Sequence, residues 1–351
     1  LKFSEMKGGY MYLIYISSII LLPLMILLFR KKLIVGVWSI SVFNSPSIIS
    51  KKTKGNSMLP SLQASDVSDV YAEFVADPFI INHNSVFYMF FEILDKSTDK
   101  GIIGLATSRD GKDWSYERTV LKETYHLSYP YVFKYKDNFY MIPETCETNK
   151  VLLYKAKRFP YEWEIVSEMI QGNYVDASIF YYKNKWWIMA GKSGKLHLFY
   201  SDNLYTNWIE HVKSPLIENN YNITRPGGRV IVEKNNIFRY TQDGEPNYGS
   251  AVRVFKITHL SEREYEEEEL SVVLNGSKMK ADWKKDGMHS IDQYKISDNN
   301  WLVAVDGHNL VNKNYFLWKV DRILAKFLTF IKEKRSNKRY IEKNRTKTSI
   351  T

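Results

Sequence analysis

A short phrase returns five times along this chain of 351 residues: a polar motif, an apolar strand, and then a strand rich in aromatic residues. The motifs are Ala76-Asp77-Pro78-Phe79, His126-Leu127-Ser128-Tyr129-Pro130, Val175-Asp176-Ala177-Ser178, Arg225-Pro226-Gly227-Gly228-Arg229 and Met288-His289-Ser290-Ile291-Asp292. The aromatic or apolar strands that follow them fall at residues 87–92, 139–144, 186–189, 237–240 and 301–305. A spacing of roughly 50 to 60 residues matches one four-stranded propeller blade. The expected fold is all-β, a five-bladed β-propeller over residues 33–310. Radial repetition places the first strand of every blade next to a common axis, so polar residues at the starts of those strands converge.

Composition agrees with strands. Aromatic residues make up 15 % of the chain, with 25 Tyr, 18 Phe and 9 Trp, a content that suits half-buried pleated surfaces. Three turns end in Trp, at Trp114, Trp163 and Trp208, and each is expected to fill space between neighbouring blades. The one cysteine, Cys146, excludes an internal disulfide framework.

Two appendages flank the propeller, at residues 1–32 and 311–351. Tyr10 to Phe29 is uncharged and long enough to cross a bilayer as one helix, and Arg30-Lys31-Lys32 ends it. With Lys51, Lys52 and Lys54 further on, the positive-inside tendency puts the propeller on the cytoplasmic side of a single-pass anchor. Toward the other end, Leu317, Val320, Leu324, Phe327, Leu328 and Ile331 recur at helical spacing among Lys and Arg, predicting a basic amphipathic helix. Between Lys332 and Lys347 stand eight Lys or Arg against two Glu, which is six of the net +10 charges. The propeller region is only mildly basic and has no basic stripe, so nucleic acid is not an expected partner.

The first strands and the ends of the second strands hold the residues able to do chemistry. They are Asp77, Glu92, His126, Tyr129, Glu144, Asp176, Arg225, Arg229, Asp243, His289 and Asp292. Carboxylates from different blades facing one hollow are what glycosidic chemistry requires. One protonates the leaving oxygen while another activates water or an acceptor hydroxyl. Tyr129, Tyr131, Trp186 and Trp187 offer apolar ring faces to a sugar, and Arg225 with Arg229 suit a phosphate or carboxylate. No phosphate-binding loop, dinucleotide fingerprint, zinc spacing or nucleophile elbow is present, and no cofactor or metal is expected.

These motifs, together with Ile142-Pro143-Glu144-Thr145, resemble the amino-terminal domain of plant glucosamine inositolphosphorylceramide transferases and of bacterial relatives from polysaccharide clusters. More distantly, the layout is similar to five-bladed glycosidases of the arabinanase and xylosidase type. The resemblance implies a protein of envelope polysaccharide or glycolipid synthesis acting on a saccharide or glycolipid, to which the uncharged stretch adds a membrane anchor. It implies Asp77 as base, with Glu144 and Asp176 at the places of the other two catalytic carboxylates; either is a candidate acid. The rival expectation is a non-catalytic carbohydrate-binding module that positions substrate for a partner glycosyltransferase.

Overall fold

The computed structural model describes residues 29–49, 51, 59–277, 279 and 281–348, with backbone only for 333 and 335–348. Residues 10–28 of the expected anchor lie outside the described residues; among those described, no helix is long and apolar enough to cross a membrane. The chain divides into a unit spanning Val37–Asn309 and a second unit built from the residues on either side of it.

The architecture is a five-bladed β-propeller of antiparallel sheets. Blade one is Ala72–His83, Val86–Asp95, Lys100–Ser108 and Ser115–Leu121, paired in that order. Blade two repeats the meander with Ser128–Tyr135, Asn138–Glu144, Lys150–Arg158 and Glu162–Gln171. In blade three, Val175–Tyr182, Lys185–Lys192 and Lys195–Ser201 are followed by two short outer pieces, Ile209–Glu210 and Ile217–Glu218. Both pieces pair with the third strand. Ile231–Glu233, Asn236–Gln242, Ala251–Leu260 and Tyr265–Asn275 make blade four.

Blade five is assembled from both ends of the propeller. Ile291–Ser297 and Asn300–Asn314 take their third strand from Lys32–Ser45, the first strand in the chain. This closure leaves no open edge between the first and last blades. The first strands of successive blades neighbour one another around the ring, and a parallel bridge between Gly228 and Ile291 links blade four to blade five.

Alternation along the strands sends aromatic side chains into the seams between blades. Phe79, Phe90, Tyr129, Tyr140 and Tyr154 belong to one cluster of buried residues under blades one to three. The turn tryptophans behave as expected: Trp163 of blade two meets Phe90 of blade one edge to face, ring centroids 5.5 Å apart. Tyr131, Trp186 and Trp187 do not offer faces to a sugar. They are core residues, because alternation from their neighbours points them between sheets. Beyond the propeller, Tyr315–Thr348 forms a single helix.

Candidate functional site

The site begins as a backbone irregularity repeated in three blades. The first strands bulge between Ala76 and Phe79, between Ser128 and Tyr131, and between Val175 and Ser178. At each bulge one residue sits in the left-handed region: Asp77 at φ 52°, Tyr129 at 46° and Asp176 at 52°. Such conformations cost of order 1–3 kcal/mol at a non-glycine residue and re-aim its side chain. In blade four the same close approach is made by Gly228, where an added Cβ would meet the Ile291 carbonyl oxygen at 1.9 Å. The Pro226-Gly227-Gly228 run is therefore there for backbone contact.

A second ring of residues comes from the second strands. Glu92 lies opposite Ala76 and Glu144 opposite Ser128. Gln242 N donates to Arg225 O at 3.1 Å, and Asp306 N to Ser290 O at 3.4 Å, which puts Gln242 and Asp306 at the equivalent places of blades four and five. Asp306 was not among the sequence candidates, whereas Gln242-Asp243 was marked there as the end of blade four's second strand. The fifth repeat, read only to Val305, stops one residue short of the position where blades one and two carry Glu.

Asp306 is the hub at the blade one–five junction. Its carboxylate accepts the backbone N–H groups of Asp77 at 2.9 Å, His289 at 3.1 Å and Ser290 at 3.0 Å. It also holds His289 Nδ1, which lies 2.7–2.8 Å from its two oxygens. The other ring nitrogen, Nε2, stands 3.7 Å from Asp77 Oδ1. Burial opposes charge on His289, but Asp306 and Asp77 outweigh it and raise its pKa. Burial also works against the Asp306 carboxylate; His289 and the backbone donors nonetheless hold its pKa below the usual range. Trp38, from the closing strand, stacks between His289 and His308 with centroids 4.1 and 4.0 Å away. His308 is pushed down to about 4 by burial and by His289. Asp77, His289 and Asp306 offer ligand atoms within 4.8 Å of one another, the spacing of a metal trio. Those donors already engage each other and the backbone.

Arg225 ties the other carboxylates together. Its Nε donates to Asp176 Oδ2 at 2.5 Å and its Nη2 to Glu144 Oε2 at 3.3 Å. Gln242 Nε2 also donates to Asp176 Oδ2, at 2.7 Å. Burial, then Asp176, raise Glu144 to about 8 in spite of Arg225, and the Cys146 thiol donates to its other oxygen at 3.2 Å. Glu92 is raised as well, by burial and then by Glu144 and Asp176. His126 Nδ1 accepts the Gly101 N–H at 2.9 Å, which leaves Nε2 facing Glu92 Oε1 at 3.4 Å. Asp77 is raised by burial, against the opposing pull of His289 and with the help of Asp306 and Asp176. Asp77 Oδ1 and Asp176 Oδ1 are buried and have no hydrogen-bond partner among the described residues.

Asp77, Glu92, His126, Glu144, Asp176, Arg225 and His289 thus come together. Four other candidates do not join them. Tyr129 is fully buried at 0 % exposure; its hydroxyl pairs with Ser178 Oγ at 2.9 Å and accepts the Gly228 N–H at 2.6 Å, so it seams three blades. Arg229 grips Asp292 at 2.6 Å under the Tyr131 ring, and Asp292 also accepts the Ile80 N–H at 2.6 Å. Both therefore join strands instead of facing a ligand. Asp243 is held by Arg253 through two bonds, at 2.7 and 2.9 Å. A cleft of about 350 Å³ opens beside Arg225 and Gln242, lined by Lys192, Tyr221, Thr224 and Tyr248 among others.

Fold and site together define a five-bladed β-propeller whose inner strands gather a cluster of buried carboxylates. By sequence, the chain belongs to the family described as glucosamine inositolphosphorylceramide transferase 1, N-terminal, whose model matches residues 36–308. It is 33 % identical over 260 residues to glucosamine inositolphosphorylceramide transferase 1 of Arabidopsis thaliana, covering 71 % of this chain and 34 % of that protein. The protein of the same description from Oryza sativa subsp. japonica is 32 % identical over 247 residues, covering 67 % and 33 %. The match spans about a third of those relatives' length. Among solved structures, an exo-1,5-α-L-arabinanase from a bovine ruminal metagenomic library superposes with a TM-score of 0.50. It is 15 % identical, with 68 % of this chain and 92 % of that one covered, a likeness of fold.

Proposed function

We propose that the axial mouth binds a sugar and carries out glycosyl transfer in envelope polysaccharide or glycolipid synthesis. The observation that supports this best is the division of labour within the carboxylates. Asp77 and Asp176 each use one oxygen or the backbone to hold the frame and keep a buried oxygen with no hydrogen bond among the described residues, that of Asp77 facing His289 Nε2 at 3.7 Å. Glu144 keeps its proton up to about pH 8. A base needs a free oxygen, and an acid needs a proton at working pH.

In this reading Asp77 takes the proton of an acceptor hydroxyl as its oxygen bonds to the anomeric carbon. Glu144 gives its proton to the departing oxygen as the old bond breaks. Asp176 holds Arg225, whose Nη2 steadies Glu144 for that step. Arg225 is engaged by Asp176 and Glu144, and His289 by Asp306, so neither cation is spare for an anionic group, which favours a neutral or ammonium-bearing sugar. That agrees with the glucosamine in the relatives' name. The uncharged stretch Tyr10 to Phe29 would keep the propeller at a membrane, on the cytoplasmic side, near a glycolipid substrate.

Methyl glucosaminide binding and glucosaminyl transfer to a lipid acceptor test the proposal. Asp77→Asn and Glu144→Gln should retain binding while turnover falls at least about 100-fold. The short match to the longer relatives favours a second reading, a binding module serving a partner transferase. Glucosaminide binding by the wild-type chain with no transfer of its own would select that one. Absence of glucosaminide binding in the wild-type chain would end the glucosaminide reading.

A further inference from the structure

The helix Tyr315–Thr348 carries apolar side chains on the face where a water-facing helix carries polar ones. Trp318, Arg322 and Ala325 share one side. Ala325 and Arg322 are buried, and the Arg322 guanidinium lies 3.7 Å over the Trp318 ring. At 100° per residue the opposite side presents Leu317, Ile323, Leu324, Phe327, Leu328 and Phe330. Ile323 is 64 % exposed and Phe327 59 %. Six large apolar residues on one helix exceed the scattered exposure that a folded surface tolerates.

Charge on the same helix says what would cover them. Lys319, Arg322, Lys326, Lys332 and Lys334 stand among the described side chains of the helix against one acidic residue, Asp321, and further Lys and Arg follow in sequence. A protein partner with an apolar groove would satisfy the leucines and phenylalanines without calling for that excess of positive charge. An anionic lipid surface satisfies both. The chain supplies a third argument. Its uncharged stretch of bilayer length ends at Phe29, and Phe29 packs edge to face on Phe316 with centroids 6.1 Å apart. Asn314 Nδ2 donates to Phe29 O at 2.9 Å, and Tyr315 N to Lys31 O at 2.9 Å. The first turn of the helix is therefore fastened to the point where the apolar stretch stops.

We infer that this helix lies along a membrane surface containing anionic lipid, with Leu317, Ile323, Leu324 and Phe327 sunk among the acyl chains and its lysines among the headgroups. The inference rests on the membrane-anchored reading but is a separate contact. Its test uses the full chain reconstituted with vesicles of phosphatidylcholine, with or without phosphatidylserine. With Cys146→Ser as background, an environment-sensitive fluorophore is placed at Phe327→Cys or, as the exposed control away from that face, at Asp321→Cys. The expected result is a blue shift and quenching by brominated lipid at position 327, stronger with phosphatidylserine and reduced by salt. Leu324→Glu with Ile323→Glu should weaken that protection roughly tenfold. A label at 327 that stays in water on both vesicle types overturns the inference. So does protection that needs no lipid and tracks protein concentration, which would mean that a second copy covers the face. Sedimentation with vesicles, read separately, reports the anchor itself; a chain that floats with lipid while residue 327 stays wet keeps the anchor and loses the helix contact.

Discussion

A strand-joining ion pair and a carboxylate of the mouth carry opposite lessons. Asp292 is buried and Arg229 half-buried against it, so removing one partner leaves the other's charge without compensation. Asp292→Ala should cost about 3–5 kcal/mol in urea unfolding, and Asp292→Asn clearly less; equal losses would show that the pair's charge is unimportant. Glu144 works the other way. Its folded value, about 8, lies above its unfolded value near 4.5, so its contribution to stability is complete at low pH. That contribution is lost as pH rises from about 4.5 through about 8. Glu144→Gln should therefore gain on the wild type as the solution is made alkaline, read by melting temperature across that range. A pH-independent difference would contradict the assigned shift. Sequence already marked Glu144 and Asp176, because their places recur from blade to blade. It could not tell a side chain aimed at the axis from one turned into a seam. Tyr129 occupies the same bulge as Asp77 and Asp176, yet its hydroxyl reaches across to Ser178 and Gly228.

Among the elements, the bulged first strands and the borrowed last strand do most to shape the site. Asp176 at φ 52° is tolerable partly because Asp adopts the left-handed region more easily than most residues. Asp176→Asn should keep the bulge, whereas Asp176→Val should lose about 1–3 kcal/mol more, measured by chemical unfolding. Identical stabilities would argue that the bulge relaxes freely. Four-stranded meanders were legible from aromatic alternation and turn residues at Asp110-Gly111 and similar places. The closing role of Lys32–Ser45 was not. Its pattern predicts a strand, but nothing in a linear text says that a strand pairs with one roughly 270 residues later. Asp306 escaped notice for a related reason, since its meaning depends on the blade that this strand completes.

At the scale of the whole molecule, ring closure couples distant parts of the chain. Trp38 of the closing strand is buried and stacks on His289, so Trp38→Ala should cost about 3–5 kcal/mol. It should also broaden the His289 ring resonances in an NMR spectrum, which a loss confined to the outer sheet would leave sharp. Because the closing pair is so far apart in sequence, the last step of folding should be slow and should protect blades one and five together in pulsed hydrogen exchange. Early, separate protection of blade five would contradict this. One outcome of that geometry reaches beyond stability. The imidazole facing Asp77 is clasped by Asp306 from the final strand and by Trp38 from the initial one. A nascent or clipped polypeptide that has one of those strands but not the other has no seated imidazole, and so no finished mouth.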